Sequence, residues 1–197
     1  MLLSGLEPNS SKSVELEQYS TDGNLAARWL TDIAAFGDLS EGCTVADLGA
    51  GNGVLGLGTL AMGAGRAILV EVDQAACDVA KSNAESTGFA DSVEVIRAKL
   101  GSDSVDLSSA DVVISNPPWG RQTPRADRPF LEAMIAAAAP AHLLHSAEAT
   151  HIRPLFEDAG WSAERYGEAD FALPATYSHH SRQRGRTRAA FWRLVPP

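Results

Sequence analysis

The chain has 197 residues, 45% of them hydrophobic, so it is long and apolar enough for one domain with a substantial core. No apolar run reaches the length of a membrane span, and residues 1–3 are too short for the core of a signal peptide. Two isolated cysteines, Cys43 and Cys77, lack the spacing of a metal or disulfide motif. We therefore expect a single cytoplasmic domain, 1–197, with residues 1–13 as a flexible lead-in, no membrane contact and no metal site.

The net charge of −9 is unevenly distributed. Residues 1–180 contain 11 basic and 25 acidic side chains, a net charge of −14, whereas residues 181–197 contain five arginines and no acid. An arginine-rich segment on an acidic body is a candidate contact for nucleic acid phosphates, because guanidinium groups match phosphate oxygens. The alternative is a solvated loop between two strands.

Residues 22–33 predict the first helix. Leu25, Trp29 and Ile33 recur at four-residue steps and would form one apolar face. Either Thr21 or Asp22 can cap the start of this helix.

A strand, a glycine turn and a helix follow over residues 44–62. The glycines 49, 51 and 53 permit positive φ angles and close approach of a ligand to the backbone. Such turns also occur in nucleotide, flavin and dehydrogenase sites. The next strand, 67–73, contains Glu71, which lies 18 residues beyond Gly53, near the separation at which an acid binds ribose hydroxyls. A glycine turn with such an acid indicates an adenosine-bearing cofactor, unless Glu71 is only a solvated strand end.

A β-branched run, 111–115, ends at the turn Asn116-Pro117-Pro118-Trp119. The Asn116 side-chain oxygen and the Pro117 carbonyl could both accept hydrogens from a planar exocyclic amine, which would make its nitrogen more nucleophilic. Trp119 offers a flat face for an unstacked base. The structural alternative is a strand-ending proline turn with a core tryptophan.

Strands and helices alternate along most of the chain, which predicts a parallel sheet. Asn116, Gly49 and Glu71 then lie at one edge, where open α/β sheets bind ligands. Asp127 is interpreted as the cap of a helix at 129–139. A strand follows at 141–145 and a helix at 148–159, in which Pro154 indicates a kink or the true start. Strands 161–171 and 188–195 predict a terminal hairpin.

With these motifs together, the chain resembles class I S-adenosylmethionine-dependent methyltransferases that methylate amines. Residues 16–21, 46–55, 116–120, 126–131 and 173–177 narrow the resemblance to the methyltransferase-like protein five family. The resemblance implies a Rossmann-like α/β fold with a seven-stranded, mostly parallel, doubly wound sheet and an antiparallel C-terminal hairpin. It also implies methylation of an adenine N6 in small-subunit rRNA, and a heterodimer with a small zinc-binding activator protein.

The expected roles of individual residues follow from the motifs and the resemblance. The catalytic residues would be Asn116, Pro117, Pro118 and Trp119. The S-adenosyl-L-methionine contacts would be Gln18, Thr21, Asp47, Gly49, Gly51, Asn52, Gly53, Val54, Glu71 and Leu100. Candidate RNA contacts are Arg121, Tyr177, His179, His180, Arg182, Arg184 and Arg186.

Lys99 departs from the family pattern, which usually has an aspartate there for the adenine amine. Because lysine cannot accept that hydrogen bond, the Leu100 backbone and apolar contacts would hold the adenine.

Two other functions fit the same motifs. The acceptor could be a glutamine amide of a translation factor or a DNA adenine, because in both the nitrogen lone pair is delocalised and the nitrogen is weakly nucleophilic. Alternatively, the chain could be a non-catalytic RNA-binding or ribosome-assembly module.

Overall fold

The computed structural model describes residues 2–8, 21–120, 122–172 and 186–197, with the side chains of residues 172 and 186 excepted. Within these ranges the chain forms five α-helices and seven strands. The helices are α1 (Gly23–Ala35), α2 (Val54–Ala61), α3 (Gln74–Ser86), α4 (Arg128–Ala137) and α5 (Ile152–Asp158). The strands are β1 (Thr44–Leu48), β2 (Arg66–Glu71), β3 (Val93–Arg97), β4 (Val112–Ser115), β5 (Ala141–Ser146), β6 (Ser162–Ala172) and β7 (Arg186–Val195).

The strands form one sheet in the order β3-β2-β1-β4-β5-β7-β6. The first five are parallel, and β7 pairs antiparallel with both β5 and β6. The predicted seven-stranded, mostly parallel sheet with a C-terminal antiparallel hairpin is confirmed.

Helices cover both faces of the sheet. One buried cluster includes α1 and α2, with Trp29 and Leu57 among its fully buried side chains. The other includes α4 and α5, with Met134 and Phe156 fully buried. Because both faces are covered, β1 and β4 are buried along almost their whole length, as is typical of parallel sheets.

Capping residues set several helix boundaries. The Asp22 carboxylate accepts hydrogen bonds from the N–H groups of Asn24 and Leu25, which confirms Asp22 as the cap of α1. The last predicted helix begins later than expected, at Ile152, so Pro154 lies in its first turn, where proline is tolerated.

The N-terminal residues 2–8 pack against the domain. Leu3 and Leu6 contact the core cluster of α1 and α2. The Glu7 N–H donates to Asn83 Oδ1 at 2.8 Å, and the Glu7 carbonyl accepts from the side chains of Asn52 and Asn83. This part of the predicted lead-in is therefore held by specific hydrogen bonds.

Candidate active site

The glycine turn after β1 has the left-handed backbone that its sequence requires. Gly49, Gly51 and Gly53 have φ angles of 74°, 56° and 82°. A Cβ atom on Gly49 would lie 2.9 Å from Cε1 of Phe130, whereas one on Gly51 would meet none of the described residues within 4 Å. Gly49 is thus needed for packing as well as for its backbone angle, and the open backbone of the turn is at Gly51.

Glu71 holds this turn in place. The Gly51 N–H donates to Glu71 Oε2 at 2.9 Å, and the N–H groups of Val72 and Asp73 donate to Oε1 at 3.0 Å. Because each carboxylate oxygen can accept two hydrogen bonds, Oε2 keeps capacity for a ligand hydroxyl.

Asp47, at the end of β1, is a buried acid beneath the turn. Burial raises its pKa to about 7; the Gly56 N–H, which donates to Oδ2 at 2.9 Å, opposes this shift and the Glu71 carboxylate adds to it. Among the residues that the structure describes, its Oδ1 has no hydrogen-bond partner, although it is buried. Asp47 is thus a buried acid, bonded to the start of the helix that follows the predicted cofactor turn.

Asn116 follows β4, and its amide orientation is set by two neighbours. Its Nδ2 donates to Thr21 Oγ1 at 3.1 Å, and its Oδ1 accepts from Trp119 Nε1 at 3.2 Å. One lone pair of Oδ1 remains available to a substrate amine.

Trp119 is 7% exposed, and aromatic side chains cover it. Its ring stacks on His145 with centroids 6.1 Å apart and lies 4.8 Å from the ring of Phe171. In this conformation the indole supports Asn116 from within the core. The predicted stacking of a base on Trp119 would require its neighbours to move.

Thr21, Glu71 and Asn116 come together at the carboxyl edge of the sheet. The strands that end at Glu71 and before Asn116 are separated only by β1, which places their ends about 10 Å apart. This is the edge at which open α/β sheets bind ligands. The shared site predicted from the sequence is consistent with this arrangement.

Other predicted contacts are placed differently or lie beyond the described chain. The Asn52 amide donates to the Glu7 carbonyl at 3.0 Å, so its side chain is committed to the N-terminal segment. The Lys99 N–H donates to Asp103 Oδ2 at 2.7 Å in a turn that contains the half-buried Leu100. The following predicted residues lie outside the described residues: Gln18, Arg121, Tyr177, His179, His180, Arg182 and Arg184. Arg186 begins β7, and only its backbone is described.

The predicted capping role of Asp127 is wrong. Asp127 stands at the start of α4, but its carboxylate makes no capping hydrogen bond there. Its Oδ2 instead lies 3.1 Å from Nε2 of His145 and 2.5 Å from Nε2 of His151. Burial raises the pKa of Asp127, but the hydrogen bonds to the two histidines outweigh burial and hold that pKa at about 2. Sequence reasoning missed both histidines, although His145 near the carboxyl end of β5 was a signal.

Comparison with known proteins decides the class of this site. The methyltransferase small domain family matches residues 33–149, which include the glycine turn, Glu71 and the Asn116 turn. The chain belongs to the methyltransferase small domain family. Within the described ranges, none of its helices has the length and apolar character needed to cross a bilayer.

Two similar proteins align with nearly the whole length of this chain. The rRNA N(6)-adenosine-methyltransferase METTL5 of Danio rerio is 31% identical over 185 residues, which cover 92% of this chain and 89% of that protein. A candidate RNA methyltransferase from Pyrococcus horikoshii, known from its crystal structure, superposes with a TM-score of 0.88. It is 32% identical, and the match covers 98% of this chain and 94% of that one.

S-adenosylmethionine is the cofactor of this methyltransferase, as its family indicates. The magnesium protoporphyrin IX methyltransferase of Synechocystis, solved with bound S-adenosylmethionine, shares the fold with a TM-score of 0.66. It is 16% identical over 89% of this chain and 79% of that one. The residues fit the cofactor, because the open backbone at Gly51 and the spare acceptor capacity of Glu71 match a ribose with free hydroxyls.

Proposed function

We propose that this methyltransferase transfers a methyl group from S-adenosylmethionine to the N6 amine of an adenosine in small-subunit rRNA, in the cytoplasm. The observation that carries the proposal is the orientation of Asn116. Asn116 Nδ2 donates a hydrogen bond to Thr21, and Asn116 Oδ1 accepts one from Trp119. Together these bonds fix the amide, which follows β4 at the edge where open α/β sheets bind ligands. The match to METTL5 over 92% of the chain supports adenosine as the acceptor and membership of that family.

Asn116 would make the amine a better nucleophile. The N6 lone pair of adenine is delocalised into the ring, so the nitrogen is planar and weakly nucleophilic. If Asn116 Oδ1 and the Pro117 carbonyl accept its two hydrogens, the nitrogen moves toward tetrahedral geometry and its lone pair becomes available. Prolines at 117 and 118 restrict the backbone and hold that carbonyl in one direction.

The cofactor supplies an electrophilic methyl group on a positively charged sulfur. The chain would contribute orientation: the glycine turn and Glu71 hold one reactant, and Asn116 with Pro117 holds the other. As the new N–C bond forms, the C–S bond breaks, and the methylated nitrogen becomes acidic enough to release a proton to water. A strong general base is unnecessary, so positioning and exclusion of water would supply most of the acceleration.

The proposal includes a heterodimer with a small zinc-binding activator. β3 is an edge strand that pairs only with β2 among the described strands. Its side chains alternate imperfectly between exposed and half-buried positions, with Val93, Val95 and Ile96 half-buried. An unpaired edge of this kind can accept a strand from a partner protein.

Methylation assays with radiolabelled S-adenosylmethionine test the proposal. The full-length protein, with and without a co-expressed activator, is incubated with small-subunit rRNA, with a translation release factor and with adenine-containing DNA. We expect label in rRNA as N6-methyladenosine. The variant Asn116→Ala tests the role of Asn116. We expect it to abolish detectable methylation, a loss on the order of a thousandfold, while cofactor binding stays near normal.

The other outcomes identify the competing functions. Label in the release factor or in DNA, with none in rRNA, would replace the acceptor. If calorimetry detected no cofactor binding even with the activator present, a non-catalytic RNA-binding role would be favoured. Methylation by Asn116→Ala at the wild-type rate would refute the role of Asn116.

A further inference from the structure

Three side chains from separate segments converge beside the Asn116 turn. Asp127 precedes α4, His145 lies near the end of β5, and His151 immediately precedes α5. One potential ligand atom from each lies within 4.8 Å of the other two. Asp127 and His145 are 4% and 1% exposed, whereas the His151 side chain is 52% exposed. The cluster is therefore buried at Asp127 and His145 and open to solvent at His151.

The donor set is that of a transition-metal site. Two imidazole nitrogens and one carboxylate oxygen are the ligands found in open zinc sites, in which a fourth position is left to water. Calcium and magnesium prefer oxygen ligands throughout, so they match this cluster poorly.

The donors lie within side-chain movement of the spacing that a metal requires. Zinc bonds to nitrogen and oxygen are about 2.1 Å long and tetrahedral, so two ligand atoms of one ion lie about 3.4 Å apart. The separation of up to 4.8 Å thus has to close by up to about 1.4 Å, and the 2.5 Å distance between Asp127 Oδ2 and His151 Nε2 has to open by about 0.9 Å. The exposed His151 can provide most of that movement, because it lies on the solvent side of the cluster.

We propose that Asp127, His145 and His151 bind one divalent transition metal ion of the zinc type. The ion would replace the two hydrogen bonds that His145 and His151 make with Asp127 Oδ2. It would join the segment before α4 to the end of β5. Because Trp119 stacks on His145 and donates to Asn116, the metal would stiffen the support of the candidate catalytic turn.

The surroundings of His145 limit the expected affinity. A histidine that binds a metal through one ring nitrogen usually donates a hydrogen bond from the other. Within the part of the chain that the structure describes, His145 Nδ1 is buried without a hydrogen-bond partner. We therefore expect reversible binding that is weaker than in closed structural zinc sites.

Cobalt(II) titration tests the site without relying on methylation. Full-length, tag-free protein is stripped with a chelator and titrated with Co²⁺, whose visible absorption reports coordination by nitrogen. We expect saturation at one equivalent, and displacement of Co²⁺ by Zn²⁺. His151→Ala, a change at an exposed side chain, should keep the fold but weaken binding at least about tenfold, since even outer-shell partners of metal ligands contribute that much.

His179→Ala/His180→Ala is the matched control, because these two histidines are not among the three proposed ligands. We expect this double variant to bind Co²⁺ like the wild type. Added Zn²⁺ should also raise the Tm of the wild type and not that of His151→Ala. The proposal is overturned if the wild type gives no saturable Co²⁺ spectrum, if His151→Ala binds equally well, or if the double variant loses binding.

Discussion

Thr21 Oγ1 accepts a hydrogen bond from Asn116 Nδ2 at 3.1 Å, although the two residues are 95 positions apart in the chain. This contact joins the segment that begins α1 to the turn that ends β4. Because Nδ2 of the Asn116 amide faces Thr21, its Oδ1 faces away from Thr21. The predicted cofactor residue and the predicted catalytic residue are therefore parts of one hydrogen-bonded unit.

Thr21→Val removes the hydroxyl and preserves the shape of the side chain. Without the acceptor, the Asn116 amide can rotate, and we expect kcat to fall about tenfold, the value of one typical hydrogen bond. Cofactor affinity should change less than kcat. Steady-state kinetics and calorimetry measure both quantities. Thr21→Ser keeps the hydroxyl and should behave like the wild type. A variant with altered cofactor affinity and unchanged kcat would contradict this role.

Trp119→Phe separates the indole N–H from the bulk of the ring. Phenylalanine can still pack against His145 and Phe171, but it cannot donate to Asn116. We expect nearly normal stability and a kcat reduced severalfold. Trp119→Ala should instead lower the free energy of unfolding by about 3–5 kcal/mol, because it leaves a cavity. Urea unfolding and single-turnover methylation are the measurements. A fully stable Trp119→Ala variant would show that the ring is not part of the core.

Glu71→Gln tests whether the carboxylate organises the glycine turn. The Glu71 carboxylate accepts hydrogen bonds from three backbone N–H groups. A glutamine has only one oxygen to accept them, and its NH₂ group would face at least one of these N–H donors. We expect the free energy of unfolding to fall by about 1–3 kcal/mol. Cofactor affinity should fall roughly tenfold or more. The exposed Glu85→Gln is the control and should change neither quantity. Normal cofactor binding by Glu71→Gln would exclude Glu71 from the site.

Asp47 should make the cofactor-free protein less stable as the pH rises. Its folded pKa is about 7, whereas an aspartate in an unfolded chain ionises near pH 4. Between these values the folded state holds a proton that the unfolded state has lost, so the free energy of unfolding decreases with pH. The full effect is roughly 4 kcal/mol as an upper bound.

Urea unfolding of the wild type and of Asp47→Asn between about pH 4 and about pH 7, the interval between the unfolded and folded pKa values, measures this dependence. The asparagine variant should lose less stability over that interval, because it has no proton to release. Asp91→Asn, on the surface, should follow the wild type. Identical pH profiles for the wild type and Asp47→Asn would contradict the prediction.

Val95→Pro tests the free edge of β3. The Ala98 N–H donates to the backbone carbonyl of Glu71 on β2. Because N–H groups along a strand point alternately to its two sides, the Val95 N–H points away from β2. Proline is tolerated on an edge strand where the lost N–H faces outward. We expect a folded methyltransferase whose affinity for the activator falls at least about tenfold, the value of a main-chain hydrogen bond near the upper end of its range.

Co-purification and calorimetry with the activator measure that affinity. Val95→Ala keeps the N–H and should bind the activator nearly as well as the wild type. If Val95→Pro bound normally while folded, the partner would dock on another surface.

The sequence by itself determined the alternation of strands and helices, the glycine turn and the strand ends that carry Glu71 and Asn116. These features depend on apolar periodicity and on turn chemistry, which act over a few residues. Because the carboxyl ends of parallel strands share one edge, the sequence also predicted that Glu71 and Asn116 would lie at a common site.

Only the tertiary structure decided how side chains at that edge pair with one another. Asp127 looked like a helix cap, yet its carboxylate contacts histidines 18 and 24 residues away. Trp119 looked like an open stacking face, yet Phe171 and His145 cover it. Such pairings depend on which strands become neighbours and on the side-chain angles at their ends. No local pattern encodes them, because the partners meet only after the sheet has assembled.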